Sequence, residues 1–155
     1  MNQIACAADS DAPVYRSQSV EVAAPIDVVW DVMASVDKWP EWSPDVREAV
    51  LDGPVAEGTT FHWKAGPGKI HSTFRCVNHL SVLGWTGKTL GIPAIHVYRL
   101  ASKNGHTTVI LEESWDGLLA RLFRRRFQKT LEEAVSSGLQ ALKHEAERRV
   151  SVAGN

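Results

Sequence analysis

The chain has 155 residues, a formal net charge of −1 and 23% charged side chains. That length supports one domain with its own core, without disulfide staples or a structural metal. Acidic and basic residues are interspersed, so the whole molecule carries no field that draws nucleic acid or an anionic membrane, and nucleic acid is not an expected partner.

The opening MNQIACAADSDA has no basic stretch and no apolar run of useful length, and residues 1–13 are expected to be flexible. Nowhere do about 18 apolar residues run together, so no membrane insertion is expected. Cys6 and Cys76 have no C-x-x-C partner and no histidine at metal-ligand spacing, which argues against a redox pair or a zinc site and fits a reducing, cytoplasmic compartment. A single domain is expected over residues 14–150, with residues 151–155 as a flexible C-terminus.

A first strand is predicted from Val14 to Ala23. Pro25 then sits where a first helical residue tolerates a missing N–H, and Ile26, Val29, Trp30 and Met33 follow at helical spacing, giving a short helix that ends near Asp37. The stretch DKWPEWSPDV holds two prolines, which forbid a long helix and predict a turn or a broken helical pair carrying Trp39 and Trp42. From Asp45 to about Trp115 the pattern alternates between turn signals at Gly66-Pro67-Gly68, Asn78-His79, Leu90-Gly91 and Asn104-Gly105, the mark of successive hairpins. Helical period returns at the end, with Phe123, Phe127, Leu131, Val135, Gly138, Leu142 and Ala146 on one face.

With Pro67-Gly68 as a two-residue turn, Phe61 faces Phe74 and Trp63 faces Ser72, while His62, Lys64, His71, Thr73 and Arg75 fall on the opposite, wetted side. Carried through the later turns, the same arithmetic predicts three rows across the sheet. They are Trp63, Ser72, Trp85, His96 and Glu113; Phe61, Phe74, Leu83, Tyr98 and Leu111; and Thr59, Cys76, Ser81, Leu100 and Val109. A one-residue bulge would break them. Bulky aromatics facing a helix with Gly138 at its middle predict a surface too uneven to close, and hence a cavity. The alternative is a dry core in which Gly138 permits close backbone approach. The outer face gathers Ile95, Val97 and Ile110 into a small apolar patch, a dimer contact or ordinary surface; monomer and homodimer stay open.

The segments VEVAAPIDVVWDVMASVDKWPEWSPDV (20–46), GTTFHW (58–63), LGWTGKTLGIPAIHVYRL (83–100) and EESWDG (112–117), followed by the terminal helix, resemble the SRPBCC superfamily of START-like helix-grip domains, and within it the polyketide cyclase/dehydrase-like proteins. The resemblance implies an α+β helix-grip fold: a seven-stranded curved antiparallel sheet around a long C-terminal helix, two short N-terminal helices, and a deep pocket between sheet and helix. It implies ligands such as lipids, sterols, hormones or polyketides, with catalysis in some members, and the fold alone does not choose among them. It also sets Trp39 and Trp42 at one side of the pocket entrance, as a gate or in a loop pinned to the core.

His96 opposite Glu113 is the sharpest pair, because a carboxylate orients an imidazole and favours its charged form while apolar surroundings act the other way. Such a pair serves as a proton acceptor or donor in cyclising a poly-β-ketone, as a ligand anchor, or as a self-satisfied cross-strand pair. The expected pocket walls are Phe61, Trp63, Phe74, Trp85, Tyr98 and Leu111, with Leu131, Val135 and Gly138 from the helix. Arg124 begins the basic run Arg124, Arg125, Arg126, which meets an anionic head group at the mouth or forms a solvated helix face. No metal and no cofactor are expected, and hydrolase, nucleotide and dinucleotide motifs are missing. Three functions follow: a carrier of a hydrophobic, ring-containing small molecule; a cyclase/dehydrase with His96 as base; and, where no cavity exists, a protein-interaction module.

Overall fold

Alternating side chains build much of the chain into one seven-stranded antiparallel sheet, seen in a computed structural model that describes residues 6–155. The elements in chain order are β1 (Val14–Val22), α1 (Ile26–Ala34), a 3-10 turn (Val36–Lys38), α2 (Trp39–Trp42), β2 (Val46–Leu51), β3 (Thr60–Ala65), β4 (Gly68–Asn78), β5 (Val82–Thr89), β6 (Ile92–Lys103), β7 (His106–Trp115), α3 (Leu118–Leu122) and α4 (Arg124–Ala153). The strand order is β1-β7-β6-β5-β4-β3-β2. This is the expected helix-grip architecture, with the predicted first helix broken after Ala34.

The β5, β6 and β7 registers fall as the alternation predicts: Trp85 pairs with His96 and His96 with Glu113, while Leu83 pairs with Tyr98 and Tyr98 with Leu111. The β3–β4 pairing differs. Its turn is centred on Gly66-Pro67, so Phe61 pairs with Ser72 and Trp63 with Ile70. Gly66 takes the positive φ of 57° that the first central position needs, and proline cannot supply one. The error is two residues, an even number, so every side chain keeps its face.

Odd shifts occur in β2, between Val46 and Glu48, and in β4. Phe74 pairs with Trp85 but Cys76 pairs with Gly84, a bulge around Arg75. Cys76 therefore shares a row with Gly84, Val97 and Glu112 on the outer face, not with Leu100 inside as the alternation predicted.

That outer face is covered. Cys76 forms a disulfide with Cys6, the Arg99 guanidinium donates to the Cys6 carbonyl, and the Asp9 N–H donates to Ser114 Oγ at 3.1 Å. Residues 6–13 are thus tied to the sheet, contrary to the expected flexible leader; residues 1–5 lie outside the described part. Val97, expected in an exposed patch, is fully buried. The disulfide also removes the argument from cysteine usage for a reducing compartment.

Helix α4 packs mainly on β1 and α1. Its buried residues are Leu131, Val135, Leu139, Leu142, Glu145 and Ala146. Gly138 is not among them: a Cβ added there meets no atom within 4 Å, so Leu139 takes the inward position. Polar staples fix the helix lengthwise. Gln128 exchanges hydrogen bonds with the Tyr15 backbone at 3.1 and 2.7 Å, Lys143 donates to the Glu21 carbonyl at 2.6 Å, and Arg149 reaches Asp31 at 2.9 Å. The helix runs on to Ala153, past the expected end of the domain at residue 150.

Candidate functional site

One row across the inner face carries the polar groups: Phe74, Trp85, His96, Glu113 and Arg16. His96 Nδ1 lies 2.9 Å from Glu113 Oε2, and the indole N–H of Trp115 donates to Glu113 Oε1 at 2.8 Å. Trp85 stacks on the imidazole with centroids 4.1 Å apart and planes 11° from parallel, and Tyr98 lies 5.0 Å from the imidazole and 5.9 Å from Trp85. The ring is held in place and orientation by three neighbours.

Burial acts to raise the Glu113 carboxyl, but the charge of the His96 ring and the hydrogen bonds from His96 and Trp115 outweigh it, and the group lies below the ordinary carboxylate range. Burial, reinforced by the Glu113 charge, pushes the Tyr98 hydroxyl well above its usual value. Tyr98 is therefore a neutral O–H donor. The other imidazole nitrogen, His96 Nε2, is buried with no hydrogen-bond partner among the described residues, and so is Arg16 Nε.

Phe61, Phe74, Leu83 and Leu111 are fully buried beside this row, and Leu131 and Val135 face them from α4. The space between is occupied. Trp39 packs at 5.7 Å from Phe61, 5.5 Å from Trp63 and 5.6 Å from Trp85, and donates its indole N–H to the Met33 carbonyl at 3.0 Å. Pro40 sits in the first turn of α2, where its missing N–H is harmless, and the chain leaves the helix at Ser43 just before Pro44. A four-residue helix thus delivers one indole to the centre of the fold.

Aromatic and aliphatic side chains, Trp39 among them, crowd the space of the predicted deep pocket, while His96 and Glu113 keep 13% and 16% of their side-chain surface accessible. One concavity of about 190 Å³ lies beside Trp63, Lys64 and Lys69, and an open one of about 540 Å³ lies beside Lys129, Glu133 and Ser137. Trp42 is half-buried with an unpartnered Nε1, and Arg124 is exposed at the start of α4. Gly138 contributes nothing to the wall.

Two features escaped the sequence reading. Arg16 joins the polar row because Val14, Arg16, Gln18, Val20 and Val22 share the inner face of β1; an arginine at an alternating position between valines was the available signal. On the outer face, His62 and His71 meet through their Nδ1 atoms at 2.8 Å, with Asp52 at 3.0 Å behind His62. Sequence spacing could not show this cluster, which cross-strand pairing creates.

A family model described as polyketide cyclase/dehydrase and lipid transport matches residues 16–147. The chain belongs to that family. Among solved structures it is similar to the Zhui aromatase/cyclase from Streptomyces sp. R1128, with a TM-score of 0.78, 19% identity, and 91% of this chain and 98% of that one covered. The di-domain aromatase/cyclase StfQ of the steffimycin pathway matches with a TM-score of 0.75 and 16% identity, over 89% of this chain and 52% of its own length. A START superfamily protein from Mycobacterium smegmatis gives a TM-score of 0.73 and 12% identity, covering 86% and 97%. At these identities the polyketide cyclase-family fold is shared and nothing finer is. No curated protein sequence matches the chain.

Within the polyketide cyclase-family fold, the row has a defined chemistry. Glu113 engages Nδ1, so Nε2 is the nitrogen left for another group, an acceptor when the ring is neutral and a donor when it is charged. Flat aromatic faces line one side, and Tyr98 adds a donor that does not ionise.

Proposed function

We propose that this chain binds an apolar, ring-bearing small molecule against the aromatic wall of β3–β6, in the place that Trp39 holds here, with His96 Nε2 contacting a hydroxyl or carbonyl of the ligand. The observation that carries this reading is the orphaned Nε2. A buried polar atom without a partner costs about 1–3 kcal/mol, and a ring fixed by Glu113, Trp115 and Trp85 keeps it so. Arg16 Nε, unpaired in the same row, supports a polar end on the ligand. Family membership adds the expectation of lipid or polyketide-like cargo.

Native mass spectrometry of protein purified from its own source tests this. A retained small molecule is expected, and it should be lost from His96→Leu and weakened in Trp63→Ala. A protein that arrives empty and shows no enhancement of a fluorescent hydrophobic probe ends the reading.

A second reading, a cyclase/dehydrase in which His96 is the base and Glu113 orients it, is favoured by the 2.9 Å contact at Nδ1, which leaves Nε2 toward the substrate side. Turnover of a poly-β-ketone should then fall in His96→Ala and in Glu113→Gln. Undiminished turnover in both rejects the mechanism.

A further inference from the structure

Burial leaves one group of large apolar side chains in water. Leu118 is 72% exposed, Leu122 67% and Phe123 51%, all in or just after α3. Leu90, 66% exposed, joins them from the β5–β6 turn. The two segments touch: the Asp116 N–H donates to the Pro93 carbonyl at 3.0 Å, and a Cβ added to Gly117 would lie 3.7 Å from the Gly91 carbonyl oxygen. Leu90 also has a φ of 50°, a turn position that asparagine or glycine occupies at far lower cost. Most of the leucine side chain there lies in water, with Gly68 beside it.

The charge around these side chains is predominantly positive. Between Gly117 and Leu131 the chain carries Arg121, Arg124, Arg125, Arg126 and Lys129 and no acid, in a molecule whose net charge is −1. All five are exposed; Arg121 has Asp116 at 3.6 Å, and Lys129 borders a concavity with Glu132 and Glu133. Whole-chain composition concealed this concentration. Leucine and phenylalanine beside arginine make a surface suited to an interface where acyl chains lie beneath anionic head groups. A second copy fits poorly, because a two-fold contact would bring the same arginines together. From the surface, rings lead inward: Phe123 is 6.1 Å from Phe127, and Phe127 is 6.0 Å from Trp115, which bonds Glu113.

We propose that α3 and the Leu90 turn, with the basic start of α4, form a docking surface for an anionic lipid membrane. The surface is peripheral, since no described helix is long and apolar enough to cross a bilayer. This inference does not depend on the interior binding a ligand.

Vesicle co-sedimentation of the full chain tests it, with phosphatidylcholine vesicles compared with phosphatidylcholine/phosphatidylglycerol vesicles. Binding to the anionic vesicles is expected, falling as salt rises, with little binding to phosphatidylcholine alone. Each of Arg124→Gln and Arg125→Gln should weaken it about fivefold, and Leu118→Ser with Leu122→Ser should weaken it at least as much. These side chains are exposed, and an unchanged far-UV circular dichroism spectrum confirms folding of each variant. Three results overturn the proposal: no binding to anionic vesicles at low salt, binding unaffected by the leucine pair, or sedimentation velocity showing a dimer that Leu122→Asp dissolves.

Discussion

The indole of Trp39 meets that of Trp63 edge-on, with centroids 5.5 Å apart and planes at 83°. An aromatic from a four-residue helix thereby closes the gap between the sheet and α4. Removing it should open that gap. Trp39→Ala is expected to cost about 3–5 kcal/mol in denaturant unfolding and to raise the affinity for a fluorescent hydrophobic probe. A stability loss without any gain in probe binding would mean that the neighbours collapse into the space.

Glu145, buried on α4, accepts hydrogen bonds from Arg148 at 2.9 and 2.8 Å and from Arg149 at 3.0 Å. The bonds from Arg148, opposed by burial and helped by Arg149, pull its carboxyl down to about 2. A carboxyl lowered in the folded state stabilises the fold above its ordinary value of 4.5, and that contribution drains away as pH falls from 4.5 toward about 2. Glu145→Gln should therefore flatten the acid limb of the stability curve by roughly 1–2 kcal/mol, a figure reduced for solvent screening at the Arg148 side. At pH 2 variant and parent should converge.

The Cys6–Cys76 bond spans 70 residues. Closing a loop of that length restricts the unfolded chain, an effect worth about 4 kcal/mol at most. Reductant should lower the melting temperature of the parent and leave Cys6→Ser unaffected. Equal melting of the parent with and without reductant would show that the N-terminal segment is held by other contacts.

Asn104 and Leu90 both occupy left-handed turn positions, at φ 53° and 50°, and each is followed by glycine. Asparagine suits that conformation and leucine does not. Leu90→Asn is expected to raise stability by about 0.5–1 kcal/mol while reducing vesicle binding. A leucine variant that is more stable and less able to dock would locate the reason for the residue in binding.

Much of this molecule can be read from alternation alone, because side-chain parity survives a pairing register that slips by an even number. Phe61, Trp85, His96 and Glu113 stayed on the inner face although the β3–β4 turn was set one residue late. Parity fails at Arg75, where the bulge turns Cys76 outward, and no residue type near it announces the change. The partnership of Cys6 with Cys76 was equally silent, since it depends on that bulge. The helical period of α4 placed Leu131 and Val135 correctly. Gly138 and Leu139 are each three or four residues from both Val135 and Leu142, so periodicity admits either, and only packing chooses between them. Trp39 was legible as a tryptophan in a proline-bounded turn, either a gate or pinned to the core, and it is pinned to the core; which aromatic neighbours it meets was not legible, because a segment without periodicity carries no register.

The bond between positions 6 and 76 encloses β1, α1, α2, β2, β3 and nearly all of β4 in one covalent ring. A protease cutting the exposed stretch around Glu57 would therefore produce no separate pieces until a thiol is added. Backbone continuity and molecular integrity are distinct properties over nearly half of this polypeptide, and an intact band on a non-reducing gel reports only the second.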